Sequence, residues 1–282
     1  MGRVKILLIA AVLLSVGACT SLSERLAHNL GAAILNEDDP ETVRSGAPAF
    51  LLLLDSLVMD APDDVALLRA GADLNGAYAT AFAEDSERAA RLTEKARDYG
   101  RRALCEDYPE VCAKEHGAFE DYVPTLARID EDDVATLYTY GAAWAAWVDT
   151  HSDDWNAVAD LAKIEAVMER VIELDEDFEW GRAHLYLAVI NSQLPPSLGG
   201  RPDKARAHFR LAISISQGKD LIAKVEYARR YARLMFDQAL HDRLLQEVLA
   251  ADPHSPDLVL SNVLAQRAAR SLLAGSADYF ED

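Results

Sequence analysis

The chain has 282 residues, half of them apolar, and a formal net charge of −19. That much apolar material builds a sizeable core and excludes a disordered acidic protein. The acidity repels phosphate backbones and anionic headgroups, so nucleic acid and charged lipid surfaces are excluded as partners.

Arg3 and Lys5 open the chain, Ile6 to Leu14 is a short apolar run, and Val16-Gly17-Ala18-Cys19 closes it with small residues. The run is too short for a mature spanning helix and has the layout of a secretory signal. A cysteine directly behind the small residues resembles a lipobox, so residues 1–18 are expected to be removed and Cys19 acylated. The alternative is an ordinary cleaved signal with a chance cysteine. Loss of Arg3 and Lys5 takes the charge of residues 19–282 to −21. Those residues are expected to form one helical domain. No second apolar run reads as long enough to cross a bilayer, which leaves the acyl chains as the expected membrane attachment. Thr20 rather than Asp behind Cys19 favours, by analogy, the outer membrane.

Helical periodicity follows. Leu22 to Leu35 is a short amphipathic lead-in, and Phe50 to Met59 is densely apolar, ending at Asp60-Ala61-Pro62. The next helix carries Val65, Leu68, Ala72, Ala79 and Phe82 on one face, interrupted by Asn75, with Leu67, Ala70, Leu74 and Ala81 on a second. Two apolar faces mark an inner helix packed on both sides. Ser86 to Cys105 reads as an outer helix and Glu106 to Glu131 as a short helix with loops. Cys105 and Cys112 flank a segment containing Pro109, and in an oxidising compartment a pair this close can bridge. Two reduced, half-buried thiols are the alternative.

From Asp132 the pattern sharpens. Asp132 and Asp133 can cap a helix bearing Leu137, Gly141, Trp144 and Val148 on one face. Ser152-Asp153-Asp154 starts another, which finishes in Val171-Ile172-Glu173-Leu174-Asp175. A helix from Glu179 to Gln193, a Pro-Pro-Ser-Leu-Gly-Gly turn and a helix opening at Arg201-Pro202-Asp203 come next. In the latter Ala205, Phe209 and Ala212 have the small-aromatic-small spacing of a tetratricopeptide second helix. Helix finishes at 171, 212 and 248 are 41 and 36 residues apart, near the roughly 34 of a tetratricopeptide unit. A last helix with Leu258, Asn262, Ala265, Ala269 and Leu272 on one face closes the stack. No useful stretch alternates like a strand. The expected fold is all-α, a right-handed array of degenerate tetratricopeptide-like helix pairs.

Signatures of catalysis and cofactor binding are missing from this pattern. The sequence has no nucleophile elbow, zinc-protease motif, Walker loop or Rossmann glycine pattern. His116, His151, His184, His208, His241 and His254 make no helical i,i+4 pair and read as surface or satisfied helix residues, not metal ligands. No enzyme activity, cofactor or metal is expected. Leu198-Gly199-Gly200, ahead of Arg201 and Lys204, can present backbone N–H groups to an anion, although a tight inter-helix turn needs the same glycines. Tyr140, Trp144 and Tyr186, with Trp147 and Trp180, either line a ligand cleft or fill the core between helices.

The runs DDVATLYTYGAAWAAWV, MERVIELDEDFEWGRAHLYL, LPPSLGG, DKARAHFRLAIS and VEYARRYARLMFD, with LLQEVL following, together resemble the TatT family. These are the T components associated with tripartite ATP-independent periplasmic (TRAP) transporters. The likeness covers about residues 40–275. It implies a periplasm-facing lipoprotein of degenerate tetratricopeptide repeats, a homotrimer, that works with the substrate-binding P component. It also implies a channel in each protomer suited to a small hydrophobic ligand, and no catalytic residues. Cys105 and Cys112 have no place in the family's pattern. A tetratricopeptide scaffold for outer-membrane or envelope assembly is the alternative function.

Overall fold

The computed structural model describes residues 29–281 apart from 195 and 199; Cys19 and Gly199 thus lie outside the described residues. Residues 29–35 are helical and fourteen further helices follow, with no strand among the described residues. They are α1 (Pro40–Asp60), α2 (Val65–Phe82), α3 (Ser86–Asp107), α4 (Pro109–Lys114), α5 (Phe119–Leu126), α6 (Val134–Thr150) and α7 (Trp155–Ala159). Then come α8 (Leu161–Leu174), α9 (Phe178–Asn191), α10 (Pro202–Ile215), α11 (Leu221–Glu226), α12 (Gln238–Ala250), α13 (Val259–Ala274) and α14 (Ser276–Phe280).

Part of the acidity goes into starting these helices. Asp39, Asp64, Asp85, Asp154 and Asp237 stand in front of α1, α2, α3, α7 and α12, and each accepts from backbone N–H groups of the first turn. A carboxylate there satisfies donors that have no partner inside the helix and meets the positive end of its dipole. Pro40, Pro109 and Pro202 occupy first-turn positions, where the missing N–H costs nothing.

Three stretches depart here from the expected pattern. α1 begins ten residues before the apolar run, because Asp39 caps it and Pro48 is accommodated inside. By length and composition α1 could cross a membrane, contrary to the reading that no second run is long enough. Its Val43, Ala47, Leu51, Leu54 and Val58 are nevertheless packed into the protein. The segment from 152 to 175 is two helices that meet at Asp160. A π-helical segment, Tyr227–Ala232, continues α11.

Most consecutive helices pack on one another, and contacts between helices further apart in the chain join them. Contacts run from α1 to α2, through α2, α6 and α9 to the π segment, and from α11 to α13. α13 then returns to α1, where Leu260 joins Val43, Ala47, Leu51 and Tyr78 in one apolar cluster. Asn36 clasps Asp257 across the same joint, accepting from its backbone N–H at 2.8 Å and donating to its carboxylate at 3.0 Å. The two ends of the array therefore meet, and the helices form a closed ring. The main core lies between α5, α6 and α8, where Trp144, Tyr122, Tyr140, Leu137, Ile164 and Met168 are fully buried.

Cys105 at the end of α3 and Cys112 in α4 are bonded, with Cα atoms 5.8 Å apart, the span of a disulfide. The loop is short, so Cys105→Ser is expected to cost only about 2 kcal/mol. Alkylation and intact-mass analysis of protein exported to the periplasm should find no free thiol at these positions; two modified thiols would contradict the pairing.

Candidate functional site

The inner wall of the ring is made by α2, α6 and α9. Asp73 (α2), Tyr138 (α6), and Arg182 and Tyr186 (α9) are surrounded by protein on all sides, yet each keeps surface open to water. That combination places them on a concave face of the ring that water can reach. Tyr138 stands edge-on to two neighbours, with ring centres 5.4 Å from Phe178 and 6.0 Å from Tyr186. The result is an aromatic lining with hydroxyl, carboxylate and guanidinium groups set into it, the mixture that ligand sites use to hold and orient a small molecule.

Electrostatics sharpen this picture. Burial pushes the Asp73 carboxyl up to about 6, against the pull of Arg69 one turn earlier and of Thr139. Burial also raises the phenols of Tyr138 and Tyr186, with Arg182 opposing. Arg182 is held: its Nε donates to Asp220 at 2.7 Å and one terminal nitrogen donates to Ser261 Oγ at 3.3 Å. Burial favours the neutral guanidine, but Asp220 outweighs it and keeps Arg182 charged. One side chain thus ties α9 to the start of α11 and to α13. The Nε of Arg69 is buried with no hydrogen-bond partner among the described residues.

The backbone entering α9 is strained at this wall. Glu179, Trp180 and Gly181 adopt φ of 49°, 63° and 72°, a left-handed turn before the right-handed helix begins at Arg182. Left-handed conformations in glutamate and tryptophan carry a steric cost, and such costs collect at functional sites. At Gly181 a Cβ would also come within 2.9 Å of Ile215. The carboxylate of Glu179 acts on Asp73, Tyr138 and Arg182, so the turn adds a negative charge to the interior.

Of the cleft candidates in the sequence, Tyr186 lies on this wall. Tyr140 and Trp144 do not: they are 1 % and 0 % exposed in the core, joined to Tyr122 and Asp160. Core packing, the alternative reading of those aromatics, describes them. Leu198 ends a single 3₁₀ turn, and Gly200 stands two residues before α10. The cations behind that turn are already neutralised. Arg201 and Lys204 both pair with Glu165, the latter at 2.8 Å, and Lys204 also reaches Glu169 at 3.0 Å. Burial works to raise the Glu165 carboxyl, but Lys204, Arg201 and Asn191 hold it below the usual range. The two cations behind the turn are thus engaged by carboxylates, and Gly199 itself lies outside the described residues.

Sequence reasoning missed Arg69, Asp73, Tyr138 and Arg182. A signal existed for the first two: they are the only charged residues in α2, four apart, within an otherwise apolar or neutral helix. A charge on a helix packed on both sides must face something other than the core.

Two of the scattered histidines also meet. His184 Nδ1 lies 2.9 Å from His208 Nδ1, and His184 Nε2 lies 3.2 Å from a Glu176 carboxylate oxygen. The carboxylate fixes the proton of His184 on Nε2, so His208 must donate from Nδ1. Burial lowers both imidazoles, that of His208 to about 4 with help from its neighbour. The pair is therefore neutral in the fold and harder to protonate than in the unfolded chain. Its stabilising contribution is present above pH 6.5 and is lost as pH falls from there toward 4. Thermal unfolding between pH 7 and pH 4 should show this loss, and His208→Asn should reduce its slope; an unchanged slope would contradict the assignment. Among the described residues no group of three or more His, Cys, Asp or Glu is placed to hold a metal ion.

Comparison with curated proteins gives no match. The family profile described as TRAP transporter T-component matches residues 36–280, which takes in every helix of the ring and all the residues of its inner wall. The chain belongs to the TRAP transporter T-component family.

Proposed function

We propose that this protein is a lipid-anchored, periplasm-facing accessory that docks the substrate-binding P component of a TRAP system and holds a small organic ligand inside its ring. The observation that carries the reading is the wet, aromatic and strained inner wall within a chain of the T-component family. The helix pairs suit a degenerate tetratricopeptide array, bent until its ends meet. Attachment is through acyl chains on Cys19, and the chain acts by binding, without catalysis. The ligand is amphipathic: the aromatic faces of Tyr138, Phe178 and Tyr186 take its apolar part, and Asp73, Glu179 and Arg69 meet its polar end. This modifies the hydrophobic ligand implied by the family likeness. A homotrimer suits the exposed apolar face of α1, where Leu52 and Met59 are 71 % and 82 % exposed.

In-cell cross-linking tests the reading. The lipidated chain should yield a cross-linked species with the P protein of its own organism. Cross-links to envelope-assembly proteins alone would favour the scaffold alternative instead.

A further inference from the structure

A second cleft lies apart from the inner wall and shares no residue with it. It has a volume of about 420 Å³ and is bounded by α10, the π segment and α12. Arg206 and Arg210 from α10 and Arg243 from α12 line it, and Tyr227 and Tyr231 form its floor. Two carboxylates, Asp237 and Glu247, are also present.

Those two carboxylates are engaged elsewhere. Asp237 accepts from Leu240 N at 2.9 Å as the cap of α12, and Glu247 accepts from Lys224 Nζ at 2.8 Å. The arginines have little of their own. Arg206 is 3.9 Å from an almost fully exposed Asp203, and Arg243 is 4.0 Å from Glu247. Arg210 makes no salt bridge among the described residues. Three guanidiniums with weak or absent partners thus converge on one cleft in a chain of net charge −19. An acidic surface would ordinarily neutralise such a cluster.

The floor is unusual as well. Both tyrosines come from the π-helical segment, a rare register that occurs mostly as single turns and often at functional sites. It is held rigidly: Tyr227 stacks on Phe209 with centres 4.8 Å apart and planes within 12°, and packs on Tyr231 at 5.3 Å. Burial raises the Tyr227 phenol, and Arg210 and Arg206, which line the same cleft, pull against that rise.

We propose that this cleft binds a small multivalent oxyanion, carrying two or more carboxylate or phosphate groups, between Arg206, Arg210 and Arg243. Planar guanidinium forks bind both groups through paired, charge-assisted hydrogen bonds. Three of them around one opening favour a ligand with several anionic groups over one with a single group. The tyrosines, 4 % and 6 % exposed, back the cleft and offer such a ligand a phenol donor at its edge.

Calorimetric titration of the full chain in neutral detergent, at about 50 mM salt where exposed charges are weakly screened, tests this with citrate, inorganic pyrophosphate and acetate. Saturable one-to-one binding of citrate or pyrophosphate is expected, with acetate failing to saturate; the stronger of the two identifies the oxyanion class. Arg210→Gln together with Arg243→Gln should weaken that binding at least about tenfold. Arg210→Lys, which keeps the charge and loses the fork, should fall between. Arg91→Gln, far along the chain and paired with Glu87, should leave it unchanged. No saturation by either multivalent probe would overturn the proposal, as would binding that survives the double substitution in a protein of unaltered melting temperature. Neither outcome bears on the inner wall, whose residues these variants leave untouched.

Discussion

Arg182→Ala is expected to destabilise the protein by about 3–5 kcal/mol, as removal of one partner from a buried ion pair does. Asp220 is 2 % exposed and depends on Arg182 for two hydrogen bonds, at 2.7 and 3.4 Å. Without the guanidinium it is left as a buried carboxylate with no compensating charge. The substitution also cuts the contact of α9 with Ser261 on α13, at the part of the ring where the last helices return to the first. Chemical denaturation should therefore show a lower midpoint. Asp220→Asn in the Arg182→Ala background should recover part of the loss, because it removes the stranded charge. If Arg182→Ala leaves the midpoint where it was, the ring is not held at this point.

Glu115→Ala is expected to cost about 3 kcal/mol or more by the same physics, in the segment the sequence leaves least regular. Glu115 is 1 % exposed and takes Arg97 at 3.0 Å and Arg101 at 2.8 Å, both from α3. Arg97 in turn lies 4.0 Å over the Trp147 ring, so the carboxylate also sets the position of a cation against α6. Lys163 from α8 donates to the backbone oxygens of Glu115 and Gly117 at 2.6 and 2.9 Å. Three helices thus converge on one short loop behind α4. Loss of the Glu115 side chain leaves two arginines facing each other in a half-buried site. Glu115→Gln keeps the shape and the acceptor but loses the charge, and should cost less than alanine. Equal effects from alanine and glutamine would point to charge alone.

The sequence is informative where one helix face repeats and silent where side chains from distant helices meet. The α9 to α10 hairpin and the apolar faces of α2, α6 and α13 follow from periodicity and turn chemistry. Asn262, which reads as a polar intruder in the last apolar face, is buried because it accepts from Leu221 N at 2.9 Å and donates to Lys219 and Pro253 carbonyls. No local pattern announces that bond across 41 residues. Ring closure has the same character, since it rests on Leu260 meeting α1 and on Asn36 meeting Asp257. The aromatics were legible as a set but not by role. Tyr138 and Tyr140 are two residues apart, hence on different faces of α6, and only the phase of the helix against its neighbours sends one to the interior and the other to the core. The left-handed turn at Glu179 to Gly181 left a single trace, a glycine just inside a helix start. The π segment left none.

Sedimentation velocity of residues 20–282 mixed with the P protein of the same organism tests the docking. At about 50 μM of each, a range in which weak transient interfaces still register, the P protein is expected to move into a faster boundary together with this chain. Raising the salt should weaken the association if the acidic surface contributes to it. Two boundaries that sediment independently at that concentration would contradict docking to the P component and leave the envelope scaffold as the better account.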